Sequence, residues 1–319
     1  MISAIALSPS LDVTYVVDEL AGIQRPRSVH RVAGGKALNA ARAAAALGAR
    51  VSAVAVLGAG VGQDVADGAR ADGVDLHVVP GEQPTRTCVS IFSVGTGRLT
   101  EVYERAVAVS PATAVAALDA AVELVAARPG WWFVSGGLPG SAPDGLLADA
   151  VRRLHDAGVR VAVDSHGAAL HDAVGARPDL VKVNRAEALE LVGAGGADDA
   201  EPSVPELLAV VHSRTGGLVV ITDGAAGAWA TDGDRVLRAR LTGHTGGFPV
   251  GSGDSFLGGL LVALDGGADL AEALALATAT GTANAQVPGA AVLDPALARR
   301  LAREVQVTTA PDLAPGRRT

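Results

Sequence analysis

Short apolar runs with no polar residue alternating through them recur along this chain, several followed by a stretch of helical period. Val51–Leu57 precedes 63–72, 132–135 precedes 143–157, and 181–183 precedes 186–192, with 159–164 and Leu218–Thr222 as further runs of the same kind. Side chains alternate across a strand, so a run that is apolar throughout suits a strand covered on both faces. Such strands alternating with helices predict an α/β fold with a largely parallel central sheet flanked by helices on both faces. Residues 1–7 read as the first strand, because they lack the basic region of a secretory signal. With 319 residues and 49% hydrophobic content, the chain can bury one large core or two smaller ones.

Two stretches break the rhythm. Around 13–17, 30–32, 87–93 and 99–103 apolar and polar residues alternate, with a turn signal at Gly95-Thr96-Gly97. This predicts short antiparallel strands with one wet face. A small sheet made from two separated insertions would lie over one edge of the main body as a lid; the plainer reading is a pair of surface hairpins.

Charge and cysteine content narrow the function. The formal net charge is −8, which argues against a nucleic-acid surface, since that requires clustered Lys and Arg. No apolar run reaches the ~18 residues of a membrane helix. The one cysteine, Cys88, excludes an internal disulfide framework, and no Cys/His set has zinc spacing. The cytoplasm is the default compartment, with neither nucleic acid nor membrane as a partner.

Ligands of open parallel sheets gather at the carboxyl ends of the strands. Four polar endings follow the runs above: Ser135-Gly136-Gly137, Asp164-Ser165-His166-Gly167, Asn184-Arg185-Ala186-Glu187 and Thr222-Asp223-Gly224. The richest motif is Gly251-Ser252-Gly253-Asp254-Ser255-Phe256, ahead of the apolar run 257–264. Its glycines permit a tight turn, and the helix that follows presents free N–H groups and a positive dipole end. The amides of Gly251, Ser252 and Gly253 then suit a transferring phosphoryl group, while Asp254 takes the proton of an attacking hydroxyl. Taken alone, the same residues also read as an ordinary helix cap.

Gly34-Gly35-Lys36-Ala37-Leu38-Asn39 opens a helix expected to run to Leu47. Gly34 and Gly35 allow close backbone approach to a small ligand, Lys36 meets an anion, and Asn39 offers a donor and an acceptor to sugar hydroxyls. Arg86 extends this into a cationic pocket, whereas Arg25 and Arg27 read as solvated loop charges. Asn184 and Glu187 lie three apart at a helix start, where a carboxylate orders magnesium through water and an amide touches phosphate, or where the two form a capping box. Gly58-Ala59-Gly60-Val61-Gly62 is one residue short of the dinucleotide fingerprint and is not on the first βα unit. Gly35-Lys36 lacks the upstream glycine of a Walker A loop. His166 and His171 have neither the spacing nor the carboxylate of a zinc helix. The histidines, with the Asp164-Ser165-His166 run, are read as structural.

Together these segments resemble the PfkB-type carbohydrate kinases of the ribokinase-like superfamily, nearest to the branch acting on fructose 1-phosphate, fructose 6-phosphate or tagatose 6-phosphate. The likeness runs almost end to end. Ser8-Pro9-Ser10-Leu11-Asp12 is similar to the family's Asn-Pro-x-x-Asp, Gly34 to Asn39 to its Gly-Gly-Lys-Gly-x-Asn, and Lys182-Val183-Asn184 with Glu187 to its Lys-Pro-Asn-x-x-Glu. Gly251 to Asp254 is similar to its Gly-Ala-Gly-Asp signature. The resemblance implies one ribokinase-like α/β domain over 1–319, with a lid from about 10–33 and 85–106. It implies ATP and Mg2+ as cofactors and Asp254 as base over an anion hole of Gly251, Ser252 and Gly253. Asp12, Gly34, Gly35, Lys36, Asn39 and Arg86 fall to the sugar. Lys182, Asn184, Glu187, Thr222, Gly224, Gly227 and Asn284 fall to the nucleotide side, with Glu187 reaching the metal through water. A homodimer through the lid is compatible with it.

Several positions depart from the family pattern. Ala37 replaces a glycine, Gly137 stands where the branch often has a phosphate-contacting serine, and Tyr103-Glu104-Arg105-Ala106 replaces an Asn-x-Pro-Gly stretch, which makes Arg105 a candidate for a lost contact. The expected reaction is phosphorylation of a primary hydroxyl of a ketohexose phosphate. The competing readings are a kinase for an unphosphorylated sugar or nucleoside, a non-catalytic sugar-phosphate sensor, and a dehydrogenase. Lying at a helix N-terminus, Asp254 is expected to stay ionised.

Overall fold

The computed structural model describes residues 1–138, 142–194 and 201–309. The first half runs β1 (Ile2–Ala6), β2 (Ser10–Val17), β3 (Ser28–Gly34), α1 (Lys36–Ala46), β4 (Val51–Leu57), α2 (Gly62–Ala71), β5 (Val74–Pro80), β6 (Arg86–Ser93), β7 (Arg98–Tyr103), α3 (Pro111–Val125), β8 (Trp131–Ser135) and α4 (Leu146–Asp156). The second runs β9 (Arg160–Asp164), α5 (Gly167–Gly175), β10 (Leu180–Asn184), α6 (Arg185–Val192), α7 (Val204–Thr215), β11 (Leu218–Thr222), β12 (Ala228–Thr231), β13 (Val236–Arg240), α8 (Ser252–Asp265), α9 (Leu270–Asn284), α10 (Pro295–Ala302) and β14 (Gln306–Thr309).

The apolar runs are strands buried on both faces: every residue of β1, β4 and β8 is buried. The main sheet has ten strands in the order β14-β13-β12-β11-β10-β9-β8-β1-β4-β5. From β5 to β11 all neighbours are parallel, and β12, β13 and β14 add antiparallel pairs at the far edge. Alternation divides the core. Ile2, Ala4 and Ala6 face a cluster with α1, α2, α8 and α9, whereas Ile5, Val54 and Trp132 face one with α3, α4, α5, α6 and α7. Among the described residues no helix is long and apolar enough to cross a membrane.

Four strands form the lid, in the order β3-β2-β6-β7. β2 with β3 and β6 with β7 are antiparallel as expected, but the central pair, β2 with β6, is parallel. The cause is topological. β2 follows β1 and β6 follows β5, and these two strands of the main sheet end at the same rim, so both lid strands leave it in the same direction.

The helix after Gly251 is seated by a missing side chain. A Cβ on Gly258 in α8 would lie 2.6 Å from the carbonyl oxygen of Ala40 and 3.0 Å from Ala43 Cβ, both in α1. Only hydrogen at 258 lets the two helices meet this closely, and both carry site residues at their N-terminal ends. Gly258→Ala should therefore lower stability by roughly 1–3 kcal/mol, the usual cost of overpacking. Urea unfolding would test this, and an unchanged midpoint would show that α1 and α8 separate freely.

Candidate active site

The strand order reverses beside β1: the chain adds β4 and β5 on one side and returns to lay β8, β9, β10 and β11 on the other. A crevice is expected outside the carboxyl ends at such a reversal. It is present as a cleft of three lobes. The first, about 330 Å³, lies where β1 and β8 end and is lined by Ser8, Lys36, Arg86, Ser135 and His166 among others. The middle lobe, about 360 Å³, is lined by Asp12, Lys36, Asn39, Arg86, Lys182 and Asp254 among others. The outer lobe, about 430 Å³, has a wall of small and apolar residues that includes Ala225, Ala228, Phe256, Gly281 and Ala285. Gly35, Lys36, Arg86 and Tyr103 line both the first and middle lobes. Thr222 and Gly253 line both the middle and outer ones.

Two close approaches build the middle lobe. The first sets Asp12 against Gly34, whose Cβ would lie 2.1 Å from the Asp12 carboxyl carbon. Ser10 Oγ donates to Asp12 Oδ1 at 2.6 Å. Burial pushes the Asp12 pKa up, opposed by hydrogen bonds from Ser10 and Asn39 and by the charges of Arg42 and Arg86. The second is the turn into α8. Gly251 has φ 78, and a Cβ there would lie 2.5 Å from the Ala291 nitrogen, so both backbone conformation and space require glycine. The turn sets Asp254 in the first turn of α8, where Asn39 Nδ2 donates to Asp254 Oδ2 at 3.0 Å. Asn39 Oδ1 is buried without a hydrogen-bond partner.

Beneath this lies a residue that sequence reasoning set aside. Asp164, at the end of β9, is fully buried and accepts from Lys182 Nζ at 2.6 Å and from Lys36 Nζ at 3.4 Å. Burial alone would raise its pKa, yet the two lysines hold it below the ordinary carboxylate range. Asp164 in turn holds Lys36 firmly protonated, helped by Glu187, whose Oε1 is 3.6 Å from Lys36 Nζ. The signal was its place on the loaded strand rim; its triad-like neighbours drew attention from it.

Asp254 stays ionised at neutral pH, as its place at a helix N-terminus suggested, but with a raised pKa. Burial, and secondly the charge of Asp164, push its pKa up to about 6, although Asn39, Lys182 and Lys36 act against the rise. Removal from water outweighs the dipole here, because the carboxylate is 8% exposed.

The remaining expected residues divide. Gly35, Lys36, Asn39, Arg86, Lys182, Asn184, Glu187 and Thr222 all line the middle lobe, and Thr222, Gly224, Gly227, Ser252 and Gly253 line the outer one. Arg86 is pinned, with Nη1 donating to the Glu104 carbonyl and Nη2 to that of Ser8, each at 3.2 Å. Asn184 and Glu187 do form a capping box on α6. Two residues fall elsewhere. Arg105 is exposed and lines none of the three lobes, because Glu104 is tied to β6 through the Thr87 nitrogen and its neighbour is left on the solvent side. Asn284 is fully buried and braces the turn into α8, donating to the Val250 carbonyl at 2.8 Å and to Ser252 Oγ at 3.0 Å, so it does not line the outer lobe. Gly58 packs against the 81–85 segment, where a Cβ would lie 1.7 Å from the Gln83 carbonyl oxygen. The space a dinucleotide would need there is filled. Among the described residues no three His, Cys, Asp or Glu side chains cluster as a metal-binding group.

Comparison with known proteins agrees with this geometry. Residues 4–297 match the model of the pfkB family carbohydrate kinases. A 1-phosphofructokinase of Rhodobacter capsulatus is 32% identical over 316 residues, covering 97% of this chain and 98% of that one. The solved phosphofructokinase-2 of Escherichia coli in complex with fructose-6-phosphate superposes with a TM-score of 0.84 at 22% identity, over 95% of this chain and 98% of that one. A possible 1-phosphofructokinase of Thermotoga maritima does so with a TM-score of 0.85 at 17% identity, over 98% and 100% of the two chains. At these identities the two solved structures speak for the fold.

A raised pKa is a stability statement. An Asp that titrates at 3.8 when unfolded and near 6 when folded destabilises the native state once ionised, a penalty absent below pH 3.8 and complete above about 6. Asp254→Asn, which still accepts from Asn39, should therefore stabilise the protein at pH 8 by an amount on the order of 2–3 kcal/mol. That gain should vanish near pH 4. Thermal unfolding at the two pH values measures it, and an equal shift at both would contradict the assigned cause.

Proposed function

We propose that this chain, which belongs to the pfkB family of carbohydrate kinases and is thus a phosphotransferase, transfers the γ-phosphoryl group of ATP to a primary hydroxyl of a ketohexose phosphate. The observation that carries the reading is the shared wall at Thr222 and Gly253. A nucleotide in the outer lobe and a sugar in the middle lobe would meet at the N-terminus of α8, beside Asp254. The relative named as a 1-phosphofructokinase supports a phosphorylated ketohexose, with fructose 1-phosphate, fructose 6-phosphate and tagatose 6-phosphate as the candidates.

The outer lobe suits a flat heteroaromatic base, being apolar and of ordinary ligand-site volume. Thr222, Gly224 and Gly227 bind on that side, and Lys182 and Asn184 lie toward the phosphates. Glu187 fits magnesium held through water, since its carboxylate lines the cleft and no cluster of three such groups competes for the ion among the described residues. Bound there, the ion would neutralise phosphate charge. On the acceptor side, Asp12 and Asn39 orient sugar hydroxyls. The unpartnered Asn39 Oδ1 is the acceptor such a hydroxyl would use, and Lys36 and Arg86 face the existing phosphate. The enzyme acts in the cytoplasm. The exposed edge strand β7, with Val102 62% and Tyr103 48% exposed, supports a homodimer through the lid.

The step follows from this arrangement. The acceptor oxygen bonds to the γ-phosphorus as the bond from phosphorus to the leaving oxygen of ADP breaks, and the hydroxyl proton passes to the Asp254 carboxylate. The amides of Gly251, Gly253 and Asp254 meet the charge on the transferred group, whereas that of Ser252, expected among them, is taken up by the Pro249 carbonyl at 3.0 Å because it closes the turn into α8. A carboxylate with a pKa near 6 is a better base at neutral pH than an ordinary Asp and is still ionised there.

An ADP-release assay across the three ketohexose phosphates, fructose and common nucleosides tests the acceptor; turnover confined to the last two groups would refute it. Asp254→Asn should cut turnover at least ~100-fold while nucleotide binding survives. Since the base must be ionised, wild-type kcat/KM should fall as pH drops through about 6. Arg86→Ala should raise the KM for the phosphorylated acceptor by about ten-fold, the effect of losing a hydrogen bond to a charged group. An unchanged KM would remove Arg86 from the phosphate.

A further inference from the structure

Two consecutive glycines follow β8 at the first lobe. Gly136 faces Lys36: a Cβ there would lie 3.7 Å from Lys36 Cβ. Gly137 faces His166: a Cβ there would lie 2.7 Å from the ring Cε1 and 2.9 Å from Nε2. The lack of a side chain at 137 is what admits the imidazole. His166 sits two residues beyond β9, immediately before α5, and its side chain does not cap that helix. The ring is exposed and has no hydrogen bond or ion pair among the described residues. Its position is held from behind, because Ser165 Oγ donates to the Gly136 carbonyl at 3.0 Å and Gly136 N to that of Asp164 at 2.8 Å.

The lobe it faces is built for an anion. Its described lining includes Lys36, Arg86 and His166 and no Asp or Glu. Ser135 Oγ, Ser8 Oγ and Arg86 Nε are buried there without partners, and Ser135 is only 8% exposed. Buried polar atoms are rarely left unpaired unless a ligand or ordered water completes them. We propose that His166 is a specificity-determining residue that contacts the phosphate of the acceptor in this lobe, opposite Lys36 and Arg86, on the side left open by glycine at 137. The inference rests on the acceptor being a sugar phosphate, as proposed above. It gives a role in substrate recognition to a histidine that the sequence alone left as structural.

The test is steady-state kinetics on the full chain with whichever ketohexose phosphate it turns over, at saturating ATP. His166→Ala and His166→Asn should each raise the acceptor KM about ten-fold, with kcat and the KM for ATP within two-fold of wild type. Gly137→Ser must displace the ring, so it should raise the acceptor KM in the wild-type background but have little further effect in His166→Ala, a non-additivity expected only of groups in contact. Turnover of a ketohexose phosphate with an unchanged acceptor KM in both His166 variants would overturn the inference alone. So would a loss shared equally by kcat and the KM for ATP. Turnover of an unphosphorylated sugar but of no sugar phosphate would overturn the acceptor reading and the inference with it.

Discussion

The ion pair between Asp164 and Lys182 is the interaction on which the cleft depends. A carboxylate with no exposed surface is costly to bury, and its neighbours must offset that cost through close contact. Lys182 reaches it from β10 and Lys36 from the first turn of α1, so one buried charge ties two neighbouring strand ends to the helix that opens the sugar-facing side. Removal of either lysine would leave Asp164 under-compensated, and removal of Asp164 would leave two ammonium groups facing one another. The rim is thus held by electrostatics that cannot be altered one residue at a time.

The same charge reaches Asp254. Buried and close to Asp164, that carboxylate is driven toward neutrality, while Asn39 and the two lysines pull it back toward ionisation. The outcome is a group poised near neutral pH in a place where an uncharged residue would be more stable. Sites of chemistry commonly carry such a cost, because the arrangement that tunes a base is not the one that best stabilises a fold.

Much of the architecture was legible because its signals are local. The apolar runs at Val51–Leu57 and Leu218–Thr222 coincide with β4 and β11, since burial on both faces forbids polar alternation. β5 escaped notice. As an edge strand with one wet face it reads Val74-Asp75-Leu76-His77, a pattern without the continuous apolar signature. The lid strands were visible as alternation, but the parallel pairing of β2 with β6 was not, because it follows from where two distant strands leave the main sheet. Asn284 and Arg105 show the same limit at single residues. Nothing in their sequence neighbourhood distinguishes an amide that binds a ligand from one that braces the loop beside it.

The sequence by itself determined the fold class, the rim on which polar residues gather, and the glycine-bounded turn that sets Asp254 at the head of α8, because each is encoded by residues close together in the chain. Tertiary structure alone decided the raised pKa of Asp254, the burial of Asp164 between two lysines, and the space at Gly137 that His166 fills. These depend on distances between residues that are far apart in sequence, and on how much water the folded chain excludes from between them; neither is written in any local stretch.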